Sequence, residues 1–292
     1  DAYADPVPRT DQFQNANQIQ DNLVVLNELR ANRLVVREDS TPEEVWHKLQ
    51  QRRTLEEIDP RWGEQIYAGP FSNVGSRAAT MIDIDTNLVS EEPLLLLSGV
   101  PQKRDTEHFR RFLQRNNIVR VSLLDEEEKA RYPDRAVTQL GVESFIYNRW
   151  PDQGVISAHD LFHDLVLPLW EIYNTNEPAT RGFWIHCLAG LGRTGTLVMA
   201  LLSYWHIRTQ AAFANREELL SFLAETLTRL RDRRNPGMVQ TLDQWKLLVE
   251  FGERYLLHHP CLAHDRSDCA ECHVRTNVRS AQSCQATCTS TG

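Results

Sequence analysis

The sequence predicts an α/β domain in which a mixed, twisted sheet is flanked by helices. Short apolar runs alternate with helical patterns as far as a glycine-rich loop after residue 186, and a series of helices follows that loop. Of the 292 residues, 41% are hydrophobic and 25% are charged, which suits a packed globular core. This length fits one large domain or one domain with appendages.

The first 60 residues are predicted to form a helical flank. Apolar residues share one face over 15–30, and the stretch Thr41-Pro42-Glu43-Glu44 is a good helix start. There Thr41 caps the helix, Pro42 takes its first position and Glu44 closes a capping box. We expect residues 1–60 to pack on a catalytic domain at 61–258. The alternative is an adaptor segment that binds a partner helix.

The predicted catalytic domain contains five apolar or alternating runs that favour strands. They occupy residues 81–84, 94–98, 118–124, 137–147 and 182–185. Helical patterns cover 106–116 and 157–173 before the last strand, and 194–208 and 215–231 after it. The order of these elements favours a sheet with helices on its faces.

The glycine-rich loop between the last strand and the next helix carries the predicted chemistry. A strand that enters a helix through such a loop directs backbone N–H groups at one point, where the helix dipole adds positive potential. Cys187 is therefore a candidate thiolate nucleophile. Arg193 offers a planar fork that matches two phosphate oxygens, and the Thr194 hydroxyl is placed to assist the departing thiolate.

A second motif, Trp150-Pro151-Asp152-Gln153-Gly154, has the composition of a hinged lid. Proline fixes the turn and glycine frees it. Asp152, which lies 35 residues before Cys187, is the candidate general acid, because an ester oxygen that leaves phosphorus needs a proton.

The two motifs resemble the signature loop and lid of the cysteine-dependent protein tyrosine phosphatases, and the resemblance covers about residues 65–256. It implies a two-step hydrolysis through a phosphocysteine on Cys187, without a metal or other cofactor in the chemistry. It also implies that Asp152 first protonates the leaving group and then assists the attacking water. His186 would orient the loop and tune the cysteine. The remaining substrate-binding positions that it implies are Leu188, Ala189, Gly190, Leu191, Gly192, Thr194 and Trp150.

Three further positions follow from the same resemblance. The stretch from Gln240 to Gln244 is similar to the family's Gln-Thr-x-x-Gln segment, in which the first glutamine positions the hydrolytic water and the second lines the site. Thr241 and Gln244 also form a capping box. Phe71 takes the place of the family's substrate-stacking tyrosine, although Gly-Pro replaces the usual Asn-Arg before it. Lys129 takes the place of a loop lysine beside the site, whereas a charge run is also typical of a solvated face.

The predicted function is hydrolysis of phosphotyrosine in proteins, as in signalling. One alternative is a dual-specificity or inositol-phosphate phosphatase with the same Cys, Arg and Asp chemistry. Another is a phosphotyrosine-binding module without turnover. The partner that the resemblance implies is a phosphorylated protein. A net charge of −8 argues against nucleic acid, and the apolar stretch 197–205 is too short to span a bilayer.

The cysteines are distributed unevenly. Only Cys187 precedes residue 260, and a catalytic thiolate is easiest to keep in a reducing compartment, which favours the cytoplasm. The divergent first third resembles effector phosphatases that pathogens deliver into host cells. In the tail at 259–292, the pairs Cys269-x2-Cys272 and Cys284-x3-Cys288 have the spacing of a structural zinc site. Cys261 is then left over, or Cys261 or His273 substitutes for one ligand. The alternatives are disulfides and an unmetallated tail.

Overall fold

A computed structural model describes residues 34–58, 87–91, 93–99, 106–131, 143–175, 180–210 and 212–257. Several sequence predictions lie outside these residues. They are the helix at 15–30, the strand at 81–84, the loop position Phe71, and the tail cysteines Cys269, Cys272, Cys284 and Cys288.

The described strands form one five-stranded sheet. They are β1 (Asn87–Glu91), β2 (Leu94–Ser98), β3 (Ile118–Ser122), β4 (Ser144–Ile146) and β5 (Gly182–His186), in the order β1-β2-β5-β3-β4. β1 is antiparallel to β2, whereas the other three pairs of neighbours are parallel. The predicted mixed sheet is therefore confirmed, and β5 lies at its centre with its carboxyl end beside those of β2 and β3.

Seven helical segments flank this sheet in the described part of the chain. Six are regular α-helices: α1 (Pro42–Ile58), α2 (Thr106–Arg115), α3 (Glu126–Arg131), α5 (Gly192–Thr209), α6 (Arg216–Arg233) and α7 (Leu242–Tyr255). The segment between β4 and β5, here α4, runs through α-helical Ala158–Asp160, π-helical Leu161–Val166 and α-helical Leu167–Thr175. The apolar spacing of this segment does not distinguish a π-helix from an α-helix.

The charge run at 126–129 lies in helix α3 rather than in a loop, and Glu126 and Glu127 are exposed, as a solvated face predicts. The backbone N–H of Glu128 donates to Asp125 Oδ1 across 2.8 Å, and the N–H of Asp125 donates to Glu128 Oε2 across 3.0 Å. This reciprocal pair is a capping box that starts a helix. It also turns the Glu128 side chain into the protein, where 7% of the residue is exposed.

The main core lies between one face of the sheet and α5, with α4, α6 and α7 packed around α5. The residues of β2, β3 and β5 on this face are Leu95, Leu97, Val119, Val121, Phe183 and Ile185. Helix α1 packs on α6 and α7 through Val45, Trp46 and Leu49, so the described part of the N-terminal flank shares the same core. None of the helices in the described ranges is long and apolar enough to span a bilayer.

Candidate active site

The loop between β5 and α5 encloses a buried cysteine. Cys187 is 3% exposed, and the backbone N–H of Gly190 donates to its Sγ across 3.2 Å. Gly190 has a φ of +71°, and a Cβ atom there would lie 2.1 Å from the carbonyl oxygen of Ser98. Only glycine therefore fits this turn, which directs its N–H at the sulfur.

Arg193 lies in the first turn of α5 and is fixed on several sides. Its Nη1 and Nη2 atoms donate to the two carboxylate oxygens of Glu128 across 2.6 and 2.5 Å. Nη2 also donates to Asp152 Oδ1 across 3.0 Å, and Nη1 to the carbonyl oxygens of Leu123 and Trp150. Burial alone would lower the pKa of Arg193, but these hydrogen bonds and the nearby negative charges raise it, so the guanidinium stays charged.

Two buried donors at the start of α5 make no hydrogen bond with the described residues. They are the Nε atom of Arg193 and the hydroxyl of Thr194. A buried polar group without a partner costs about 1–3 kcal/mol. An anion with several acceptor oxygens satisfies such donors at a helix N-terminus, so the loop has the chemistry of a phosphate site.

The predicted lid is folded against this loop. The indole Nε1 of buried Trp150 donates to the carbonyl oxygen of Gly154 across 3.0 Å, which closes the turn. The Asp152 side chain is 48% exposed and reaches Arg193. The Asp152 carboxylate is thus both open to solvent and in contact with Arg193, the residue predicted to bind phosphate.

Gln240 and Gln244 lie on the other side of the loop. Thr241 caps α7 by accepting from the N–H of Gln244 across 3.2 Å, as the sequence predicts, but the capping box is not closed, because the Gln244 side chain accepts from Gln240 rather than from Thr241. The Gln244 side chain is buried, accepts from the N–H of Gln240 and donates to the lid carbonyl of Gly154 across 3.4 Å. A Cβ atom on Gly192 would lie 2.4 Å from Gln240 Oε1, so the Gln240 side chain packs on the loop.

His186 is buried beneath the cysteine and accepts a hydrogen bond from Arg120. The Nε atom of Arg120 lies 3.0 Å from His186 Nε2. Burial, reinforced by the positive charge of Arg120, lowers the pKa of His186 to about 3. The imidazole is therefore neutral at ordinary pH.

Lys129 makes no hydrogen bond or ion pair with the described residues of the cysteine loop. Its ammonium group pairs with Glu126 across 3.3 Å, and the neighbouring residue Glu128 is the one that binds Arg193. Sequence reasoning did not single out Glu128, although the Asp125-x-x-Glu128 spacing is a usable signal for the cap that turns it inward.

A second residue missed from the sequence is Arg234, which lies behind the loop. Its guanidinium donates to the carbonyl oxygens of Gly190, Leu97 and Ala189 across 2.9, 3.1 and 3.5 Å. With the loop carbonyls held from behind, the N–H of Gly190 stays directed at Cys187. No local sequence signal identifies this arginine.

The comparison with known proteins covers the part of the chain that contains this site. The family described as protein-tyrosine phosphatase matches residues 107–251, which include β3, the lid, the cysteine loop and most of α7. The chain is a divergent member of this family.

Individual relatives are distant and much longer than the matched region. The human tyrosine-protein phosphatase non-receptor type 20 is 26% identical over 144 residues, which are 48% of this chain and 30% of that protein. The protein-tyrosine-phosphatase PTP1 of Arabidopsis thaliana is 30% identical over 125 residues, 43% of this chain and 34% of that one. The chain thus spans about a third of the length of these curated relatives. Among solved structures, Tk-PTP in its active form matches with 25% identity, covering 58% of this chain and 97% of that one, at a TM-score of 0.43.

Proposed function

We propose that the protein hydrolyses phosphotyrosine in proteins through a phosphocysteine intermediate. The observation that carries this proposal is the buried Arg193, held bidentately by Glu128 at the same loop that surrounds the sulfur of Cys187. A fixed guanidinium beside a nucleophilic sulfur suits the transfer of a phosphoryl group, whose charge spreads over its equatorial oxygens.

In the first step, the Cys187 thiolate attacks phosphorus, so that an S–P bond forms and the P–O bond to the tyrosine ring breaks. The phenolate oxygen that leaves takes a proton from Asp152. The Nε atom of Arg193 and the loop N–H groups hold the equatorial oxygens. Phosphate oxygens compete with Asp152 for Arg193, which frees the carboxyl group to face the leaving oxygen.

In the second step, water attacks the phosphocysteine. Asp152 takes a proton from the water, the S–P bond breaks, and inorganic phosphate leaves Cys187 as a thiolate. Gln240 supports this step, because its side-chain oxygen packs on the loop at Gly192 and is placed to orient the water. The Thr194 hydroxyl has no other partner among the described residues and is available to the departing thiolate.

The test is a comparison of turnover on three substrates with the same enzyme sample. Two are peptides of one sequence that carry phosphotyrosine or phosphothreonine, and the third is inositol hexakisphosphate. We expect fast release of phosphate from the phosphotyrosine peptide only, with Cys187→Ser as the inactive control. Equal rates on both peptides would favour the dual-specificity alternative, preferred hydrolysis of the inositol phosphate would favour the other phosphatase alternative, and binding without turnover would favour a recognition module.

The proposal extends to the setting in which the enzyme works. A nucleophilic thiolate is easiest to keep in a reducing compartment, which favours the cytoplasm, and a phosphorylated protein is the partner that supplies the substrate. The resemblance to delivered effector phosphatases adds the cytoplasm of a host cell as the setting. Measuring the oxidation state of Cys187 in cells, by thiol alkylation before lysis, tests whether the protein works in a reducing compartment.

A further inference from the structure

Arg231, near the end of α6, is buried at a distance from the phosphate chemistry. Only 2% of the residue is exposed. Its Nε and Nη2 atoms donate to the carbonyl oxygens of Met238 and Val239 across 3.2 and 3.5 Å. On the other side, Nη1 donates to the carbonyl oxygen of Leu49 across 3.0 Å, and Nη2 to Gln50 Oε1 across 3.1 Å. One guanidinium therefore joins α1 to the two residues that precede Gln240.

Helix α1 reaches the same place through two tryptophans. The guanidinium carbon of Arg231 lies 5.5 Å from the centre of the Trp46 ring, and this ring stacks on Trp245 at 6.4 Å. Trp245 follows Gln244 in α7, and its indole donates to the carbonyl oxygen of Pro42 across 2.9 Å. The start and middle of α1 are thus attached to the first turn of α7.

The residue before Gln240 has a strained backbone. Val239 has a φ of +56°, a left-handed conformation that is costly for a β-branched side chain, of the order of 1–3 kcal/mol. Surrounding contacts must hold such a residue in place. The N–H of Val239 donates to the loop carbonyl of Leu191 across 3.3 Å, and its own carbonyl faces Arg231. This turn brings the next side chain, Gln240, onto Gly192.

We infer that Arg231 is a positioning residue, which holds the strained turn at 238–239 and thereby fixes Gln240 for hydrolysis of the phosphoenzyme. Leu49 and Gln50 of α1 provide the second anchor of its guanidinium. Helix α1 then helps to position an active-site residue and does not merely pack on the catalytic domain. The inference rests on the proposed function, since it assigns Arg231 to the second of its two steps.

The experiment separates the two chemical steps with p-nitrophenyl phosphate in a stopped-flow instrument. Nitrophenol appears when Cys187 is phosphorylated, and the later steady rate reports hydrolysis of the phosphocysteine. Arg231→Met should leave the first step near its original rate and slow hydrolysis about 10- to 100-fold, as expected for a misplaced water. A burst that approaches one nitrophenol per enzyme, followed by slow turnover, is the expected trace.

Three variants complete the design. Arg231→Lys keeps the charge but cannot span both anchors, so it should slow hydrolysis less than Arg231→Met. Gln50→Ala removes an acceptor on α1 only, and should slow hydrolysis slightly in the same direction. Arg229→Met is the matched control, because Arg229 lies on the same helix with its side chain 60% exposed and paired with Glu225, and should behave like the original protein.

A merely structural role predicts a different result. If Arg231→Met lowers the rate of the burst and the steady rate in equal proportion, or leaves the rate of phosphocysteine hydrolysis unchanged, the inference is wrong. If Arg231→Met does not fold, the same comparison is made with Arg231→Lys and Gln50→Ala, and unchanged hydrolysis in both overturns the inference. Failure of the proposed phosphocysteine chemistry is distinguishable, because the unaltered protein would then release no nitrophenol, and failure of the proposed substrate class is detected separately by the comparison of the three substrates.

Discussion

Arg120 and His186 form a hydrogen bond between two buried side chains of the sheet, with Arg120 Nε donating to His186 Nε2 across 3.0 Å. Parallel pairing of β3 and β5 places Arg120 beside Trp184, two residues before His186. A ring nitrogen that accepts a hydrogen bond carries no proton, so the proton of the neutral imidazole lies on Nδ1. The negative charge of a Cys187 thiolate is therefore balanced by loop N–H groups and Arg193 rather than by an imidazolium.

The first prediction concerns stability in acid. The pKa of His186 is lowered to about 3 in the folded protein, from 6.5 for an ordinary histidine, so between these values the unfolded chain binds a proton that the folded chain does not. The free energy of unfolding should therefore fall as the pH drops from about 6.5 towards 3. At pH 4.5 this loss should reach about 2–3 kcal/mol.

The variant His186→Gln removes the titrating group and tests this linkage. Urea unfolding at pH 7 and pH 4.5 should show that the variant loses less stability than the original protein, by about 2–3 kcal/mol. Parallel losses in the two proteins would show that other groups cause the acid sensitivity.

The second prediction concerns the nucleophile. Cys187→Ser should abolish turnover, because a hydroxyl is a far poorer nucleophile than a thiolate at neutral pH. The fold should remain, since the serine oxygen replaces sulfur at a loop that is also held by Arg234. Circular dichroism and phosphate release measure the two effects, and near-original activity in the variant would remove Cys187 from the mechanism.

The third prediction concerns the lid carboxylate. Asp152→Ala should slow the chemical step by about 100-fold or more and remove the basic limb of the pH–rate profile. Asp152→Asn is the matched control for its contact with Arg193, because the amide oxygen still accepts from Nη2 but the side chain cannot serve as an acid. Equal losses in both variants would identify proton transfer as the lost function. Activity restored in Asp152→Asn would assign Asp152 to holding Arg193 instead.

The fourth prediction concerns Glu128, which lies in α3 rather than in the cysteine loop. Loss of one partner of a buried ion pair typically costs about 3–5 kcal/mol, so Glu128→Ala should lower the free energy of unfolding by about that amount. It should also weaken inhibition by inorganic phosphate, because the Arg193 fork loses its orientation. Glu127→Gln, an exposed change on the same helix, should alter neither property. A phosphate affinity in Glu128→Ala equal to that of Glu127→Gln would contradict this role.

The fifth prediction concerns the C-terminal tail. Cys269, Cys272, Cys284 and Cys288 are proposed to hold a structural zinc ion, since metal binding supplies folding energy to a segment too polar to fold alone. Metal analysis of protein purified without chelator should find about one zinc per chain, lost on removal of 260–292 while turnover is retained. No stoichiometric metal in the fully reduced protein would leave disulfides or an unmetallated tail as the better account.

Much of the site was predictable because its motifs are short and contiguous. The cysteine loop needs only a strand, glycines and a helix start in sequence order, and the capping box of Thr41 with Glu44 forms as the sequence predicts. The contact between Glu128 and Arg193 could not be predicted in this way, because it depends on the end of β3 lying beside the first turn of α5.

The contacts of Arg120 and Arg231 were still harder to predict from the sequence. A charged residue in an apolar strand or near a helix end carries no local sign that it is buried. The acceptors of Arg231 come from α1 and from the turn after α6, which only the folded core brings together. Residues so far apart in the sequence leave no local pattern that predicts their pairing.

The π-helical stretch Leu161–Val166 also constrains which changes of chain length this protein tolerates. Each hydrogen bond of a π-helix spans five residues, whereas that of an α-helix spans four, so deleting one residue there would restore regular hydrogen bonds. A deletion that is not absorbed in this way would rotate one side of the helix by about 100° relative to the other. Phe162 would then lose its stacking on Tyr255 at 4.3 Å, or Asp164 its 2.5 Å ion pair with Arg149 just before the lid. Single-residue deletions and insertions in this helix should therefore disturb the lid more than most substitutions on its exposed face.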